Sequence, residues 1–165
     1  MKKRKFSGVS LVASILFVTQ YFLAFFVYKL PGLSVLQWLG WGIWVLSVIF
    51  GIAPIFILRS RGGVAKGQSY VKTTQLVDTS LYAIVRHPQF LSAVGITFFS
   101  AVLFPAGQWG TGAGQTWIIT ETFANWAMFT VSLWVLSIIE DRELARHFGD
   151  GYREYAGRVP RIFPN

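Results

Sequence analysis

The chain has 165 residues, of which 53% are hydrophobic, 17% aromatic and only 13% charged, with a net charge of +8 and no cysteine. A soluble domain carries about 25% charged residues, so this is a membrane composition; the lack of cysteine excludes disulfides, thiolate metal sites and a cysteine nucleophile, and two histidines, His87 and His147, are too few for a histidine-rich metal centre. The basic groups fall in separate segments without a DNA- or RNA-binding signature, so the positive charge reads as topology and attraction to anionic membrane lipid, and no nucleic-acid partner is expected.

Runs of about 20 apolar residues cross the roughly 30 Å hydrocarbon core of a bilayer, and four such runs occur, at 6–28, 33–58, 90–106 and 117–139. The first follows "MKKRK", which resembles the n-region of a signal peptide. Its apolar stretch is too long for one and no small-x-small cleavage site follows, so it reads as a retained anchor. The third is cut short by Pro105 and the glycine-rich stretch 107–114. Fourteen of the fifteen Lys and Arg residues lie before the first run, between the second and third, or after the fourth, with Lys29 alone on the other side. The positive-inside rule then places both termini in the cytoplasm. The expectation is an all-α polytopic fold: a single membrane domain over 1–165 with about four spans and a cytoplasmic helical lid, no internal repeat and no second domain.

Between the second and third runs the chain reads "YAIVRHPQF" (82–90). Pro88 suits the first position of a helix, where its missing N–H costs nothing. Arg86 and His87 therefore stand at the cytoplasmic start of the third span, where unbonded backbone N–H groups and the helix dipole favour an anion. Within the fourth run Glu121 and Asn125 lie one turn apart; Glu121 is near the outer end, within reach of water. The fourth run leaves the membrane at "IIEDRELARHFGDGY", which brings Glu140 and Asp141 to the face where Arg86 and His87 enter. Cations and anions distant in sequence can thus meet at one membrane-edge site, with Arg86, Glu140 and Asp141 as candidate catalytic groups. Interfacial anchoring and an ordinary solvated helix are the plainer readings of the same residues.

In the tail, Phe148, Tyr152 and Tyr155 recur at i, i+4 and i+7, one face of a helix. Gly149 and Gly151 predict a break, and Pro160 a stop. An apolar face this close to the membrane is expected to dock back and lid an aromatic-walled pocket, which suits a ligand that is partly cationic. An interfacial amphipathic helix without a ligand remains the alternative.

The pair "LVDTSLYAIVRHPQF" (76–90) and "EDRELARHFGDGYREYAGRVPRIFP" (140–164) resembles the isoprenylcysteine carboxyl methyltransferase family of small multispan enzymes. Its pattern is roughly L-V-x-x-G-x-Y-x-x-x-R-H-P-x-Y followed by E-E-x-x-L-x-x-x-F-G-x-x-Y-x-x-Y-x-x-x-V-P. The resemblance implies S-adenosylmethionine as cofactor and S-adenosylhomocysteine as product. It also implies cofactor contacts at Thr74, Gln75, Leu76, Val77, Tyr82, His87, Pro88, Gln89, Phe90 and Glu140, with no metal. A segment such as 74–77 that is not helical would leave backbone groups for the adenine. Positioning can do most of the work of an in-line displacement from an activated donor.

Four positions depart from the pattern. Ser80 stands where the family has glycine, Phe90 where it has tyrosine and Asp141 where it has glutamate. Leu136 occupies the place of an arginine found in members that methylate a prenylcysteine carboxylate, which leaves Arg142 or Arg161 to neutralise such a substrate. The acceptor is expected to be lipophilic, a carboxylate, lipid amine or thiol entering from the bilayer. Membrane sterol reductases, which share a similar tail and bind a dinucleotide, and a non-enzymatic four-span protein with a degenerate site are the other two classes left open.

Overall fold

A computed structural model describes residues 8–22, 35–99 and 113–164. In chain order the elements are α1 (Gly8–Phe22), α2 (Val35–Arg61), a 3₁₀ turn (Ser80–Ala83), α3 (Pro88–Phe98), α4 (Ala113–Phe148) and α5 (Asp150–Arg158). Among the described residues there is no strand, as an apolar, helix-patterned sequence predicts.

Two helices are long and apolar enough to cross a bilayer, Trp38–Arg61 with a mean hydropathy of 2.3 and Thr120–Phe148 with 1.5; Gly8–Gln20 is apolar but shorter. In the most apolar stretch of the two long helices only 11% and 28% of residues are buried. A core helix of a water-soluble domain would hide most of that surface, whereas here Leu39, Leu46, Phe56, Met128 and Val131 are all more than half exposed. Such side chains need an apolar solvent. The ends of the expected first span and the outer part of the third, residues 100–106, lie outside the described residues. The fourth span is part of a longer helix than expected, since α4 continues past Ile139 to Phe148, so Glu140 and Asp141 are helical.

The described residues divide into two compact units. The first takes α1, the beginning of α2 and residues 94–136. Inside it the Asn125 amide donates to Gln20 Oε1 at 2.8 Å and to the Leu16 carbonyl at 3.1 Å, and both Gln20 and Asn125 are buried. Asn125 is therefore a polar fastener between α1 and α4, as side-chain amides are in apolar surroundings, while Glu121 is exposed. Phe17 against Phe129 and Trp41 against Phe99, with ring centroids 5.7 and 5.0 Å apart, add aromatic contacts within the same unit. Asn125→Ala is expected to cost about 1 kcal/mol, because Gln20 Oε1 and the Leu16 carbonyl would each lose an amide donor in an apolar setting. A lowered thermal midpoint in detergent checks this, and an unchanged midpoint would show the pair to be dispensable.

The second unit holds residues 46–93 and those from Ser137 onward. Pro54, fully buried inside α2, removes one N–H from the helix ladder without ending the helix. A Cβ on Gly51 would stand 2.6 Å from Ser92 Oγ, so α2 and α3 approach as closely as they do only because Gly51 has none. Every residue expected at the candidate site belongs to this unit.

Candidate functional site

Pro88 opens α3, buried, and the His87 carbonyl accepts from Phe90 N at 3.0 Å and Leu91 N at 3.1 Å. The N–H groups of Arg86 and His87, expected to face an anion, are bonded to the chain's own tail: Arg86 N to the Pro160 carbonyl at 2.9 Å and His87 N to the Arg161 carbonyl at 3.0 Å. The tail reaches that position through the break that its glycines predicted. At Gly149, φ is +63°, a backbone conformation that glycine adopts freely, and its N–H closes α4 on the Ala145 carbonyl at 3.1 Å. The chain then turns into α5, which contains Gly151. Beyond α5, Val159 is extended, as the residue before a proline tends to be.

The anion drawn to this helix start is internal. Asp141 Oδ2 accepts from Arg86 Nη1 and Arg161 Nε, each at 2.8 Å, and Oδ1 accepts from His87 Nε2 at 2.8 Å and from the Tyr152 hydroxyl at 2.5 Å. Four donors use the lone-pair capacity of a carboxylate, and the side chain is only 10% exposed. Asp141 therefore joins α4, the start of α3, α5 and the chain end. Glu140, about 100° away around the helix, differs: it is 30% exposed, with Oε2 3.5 Å from His87 Nδ1. Of the two acids, Glu140 is the one a ligand can reach.

Burial pulls the His87 imidazole down, but hydrogen bonds to Asp141 and Glu140 and the charges of both outweigh it and raise its pKa above the ordinary 6.5. Protonated, both ring nitrogens donate, one to each carboxylate. Because the folded value is raised, the stabilisation is fully present below pH 6.5 and is lost as pH rises through the folded pKa. Hydrogen exchange in α5, corrected for intrinsic rates, is expected to quicken over that alkaline window in the native chain and to lose the dependence in His87→Gln. A pH-independent tail in the native chain would contradict this.

Tyr82, Tyr152 and Tyr155 are held well above the ordinary phenol value, chiefly by burial, so all three are neutral hydroxyls. Tyr155 donates to the Tyr82 carbonyl at 2.7 Å, and the charge of Glu140 contributes to the Tyr82 shift. Phe90 stacks on the His87 ring at 5.3 Å and 11°, so the aromatic face survives the loss of a hydroxyl. Gln89 Nε2 donates to the Tyr70 hydroxyl at 3.3 Å. The 74–77 segment is not helical, as expected, but the amides of Thr74 and Gln75 are bonded to the Gly62 carbonyl at 2.8 and 3.2 Å, and Thr74 Oγ1 to the Gly63 carbonyl at 3.0 Å. Thr74 and Gln75 are exposed, Leu76 is half-buried and Val77 is buried. The structure thus gathers Arg86, His87, Phe90, Glu140 and Asp141 into one cluster, while the bonds of Thr74 and Gln75 run to the end of α2.

Comparison with known proteins finds a curated relative. The chain is 33% identical over 135 residues to methanethiol S-methyltransferase 2 of Bradyrhizobium diazoefficiens, an alignment covering 78% of this chain and 44% of the relative. The chain thus spans less than half the length of that protein. No protein-family model matches it, and no solved structure does.

Two participants are not apparent from the sequence pattern alone. Tyr70 lies in a polar loop without periodicity, and only the fold sets its hydroxyl beside Gln89. Arg161 was one of two candidates for a substrate carboxylate, but it is bonded to Asp141; the other, Arg142, is exposed.

Proposed function

We propose that this chain is an integral membrane methyltransferase of the isoprenylcysteine carboxyl methyltransferase type, with about four spans and both termini cytoplasmic. It uses S-adenosylmethionine to methylate a lipophilic acceptor at the cytoplasmic face. The observation that carries the reading is the convergence of the two motifs, from 86–90 and 140–161, on one buried charge cluster. The 33% identity to a protein named as a methyltransferase supports the same chemistry.

The residues present suit the cofactor. Glu140 offers a carboxylate to an ammonium group, and the neutral rings of Tyr82 and Phe90 offer aromatic surface to a sulfonium. Arg86 Nε is a buried donor without a hydrogen-bond partner among the described residues, a position costly to leave empty and satisfied by an acceptor atom of a ligand. S-adenosylmethionine, when bound, supplies an activated methyl group on a sulfonium. The chain's part is positioning: Asp141 holds Arg86, His87 and the tail, Glu140 and Tyr82 orient the ligand, and the docked tail excludes water.

Among acceptors, an apolar thiol fits best. Leu136 removes the expected arginine, Arg161 is engaged by Asp141, and Arg142 is exposed, so a substrate carboxylate would lack a neutralising partner; the relative is also named for a thiol. Calorimetry of the purified chain with S-adenosylmethionine, S-adenosylhomocysteine and NADPH tests the cofactor. Labelled methyl transfer to apolar thiols, prenylcysteine analogues and water-soluble amines tests the acceptor. Binding of NADPH alone would favour a reductase; binding of none of the three would favour a non-enzymatic protein.

A further inference from the structure

The second unit contains a feature that the charge cluster does not use. At the Arg61 end of α2 lies an open groove of about 470 Å³ lined by Phe56, Ile57, Arg59, Ser60, Arg61 and Ser80, a volume within the range of small-molecule sites. Its lining is mostly apolar, with Phe56 65% exposed, and includes two arginines, Arg59 and Arg61. We infer that this groove binds an anionic phospholipid, with the headgroup phosphate on Arg59 and Arg61 and an acyl chain along Phe56 and Ile57.

Two further observations point the same way. Arg61 Nη1 donates to Thr79 Oγ1 at 2.8 Å and Ser80 Oγ at 3.2 Å. Both acceptors are neutral, so these bonds fix the guanidinium without cancelling its charge, and a fixed planar guanidinium suits phosphate. Ser80 itself has φ +59°, a left-handed conformation that glycine adopts freely and a serine rarely does. The related motif has glycine at this position, which explains the motif; this chain instead keeps a strained serine, whose hydroxyl holds Arg61. Strain of this kind collects at ligand clamps. Placement completes the argument, because the helix Trp38–Arg61 is long and apolar enough to span a bilayer, so its arginine end meets the headgroup layer. Free phosphate would satisfy the arginines but leave Phe56 uncovered. A zwitterionic lipid would cover Phe56 but bring its own cation. The inference depends on α2 lying in a bilayer and not on methyl transfer, so the failure of one leaves the other standing.

The test is the thermal midpoint of the purified full chain in neutral detergent, titrated with phosphatidylglycerol, phosphatidylcholine or glycerol 3-phosphate. Phosphatidylglycerol is expected to raise the midpoint saturably, and the other two are not. Arg61→Gln and Ser80→Ala are expected to weaken the apparent affinity for phosphatidylglycerol at least tenfold. Arg158→Gln, an exposed basic position paired with Glu154, is expected to leave it unchanged, which separates a site from diffuse attraction. Ser80→Gly removes hydroxyl and strain together, so it should fold well yet lose the response, a safeguard should Ser80→Ala fold poorly. Equal responses to the two lipids, saturable stabilisation by glycerol 3-phosphate, or native affinity in Arg61→Gln and Ser80→Gly would each overturn the inference.

Discussion

Asp141→Asn is expected to release the C-terminal segment from the rest of its unit, at a cost of about 3–5 kcal/mol, the usual penalty for leaving buried charges without their partner. Asparagine keeps the shape but presents one acceptor oxygen and an NH₂ donor to a site holding four donors. Arg86, with 11% of its side chain exposed, and His87, with 6%, cannot recover that anion from water. The backbone bonds from Arg86 and His87 to residues 160 and 161 depend on the same docking and should open with it. The measurement is hydrogen exchange and limited proteolysis over α5 and the residues after it, while α2 and α4 stay protected. A tail as protected as in the native chain would show that Asp141 is not the residue that fastens it. Tyr152→Phe, which removes one donor and leaves three, should cost nearer 1 kcal/mol.

Glu140→Ala is expected to do the opposite: to leave the tail docked and to weaken S-adenosylmethionine at least tenfold, about 1.4 kcal/mol. The motivation is the contrast between the neighbouring acids, one closed off by four donors and the other 30% exposed beside His87 and within the electrostatic reach of Tyr82. His87→Ala should weaken binding by a similar factor while also loosening the tail, because that ring serves both carboxylates. Deleting residues 149–165 should abolish cofactor binding and leave the apolar helices inserted. Isothermal titration in detergent reads the affinity, and exchange in α5 reads the docking. Native affinity in a folded Glu140→Ala would remove this residue from the ligand site, and loss of tail docking in the same variant would remove the division of labour between the two acids.

Much of the fold follows from local chemistry that one sequence displays. Long apolar runs make helices that a bilayer can accept, and Pro88 marks the start of α3 because its ring suits a first helical turn. Gly149 marks the break in the tail because a left-handed residue is needed there, and Tyr152 and Tyr155 both lie on the buried face that their spacing predicts. The meeting of Arg86 and His87 with the acidic pair was also expected, because the charge bias along the sequence puts the segments that carry them on one face, and the side chains are found in contact.

Which groups pair within that meeting was decided only by tertiary structure. Glu140 and Asp141 are adjacent and chemically alike, and periodicity places them about 100° apart without saying which face receives three basic side chains and a phenol. Arg161 looked available for a substrate because its partner lies 20 residues earlier, beyond any local pattern. The sequence shows Asn125 only as a polar residue inside an apolar run; its acceptor, Gln20, is 105 positions away. Ser80 looked like a lost glycine, but its dihedral angle and the reach of Arg61 show a hydroxyl in use. Helical propensity and hydropathy act over a turn or a span, whereas hydrogen bonds and ion pairs are satisfied by whatever the folded chain brings within 3 Å or so, and those partners come from segments that the sequence leaves far apart.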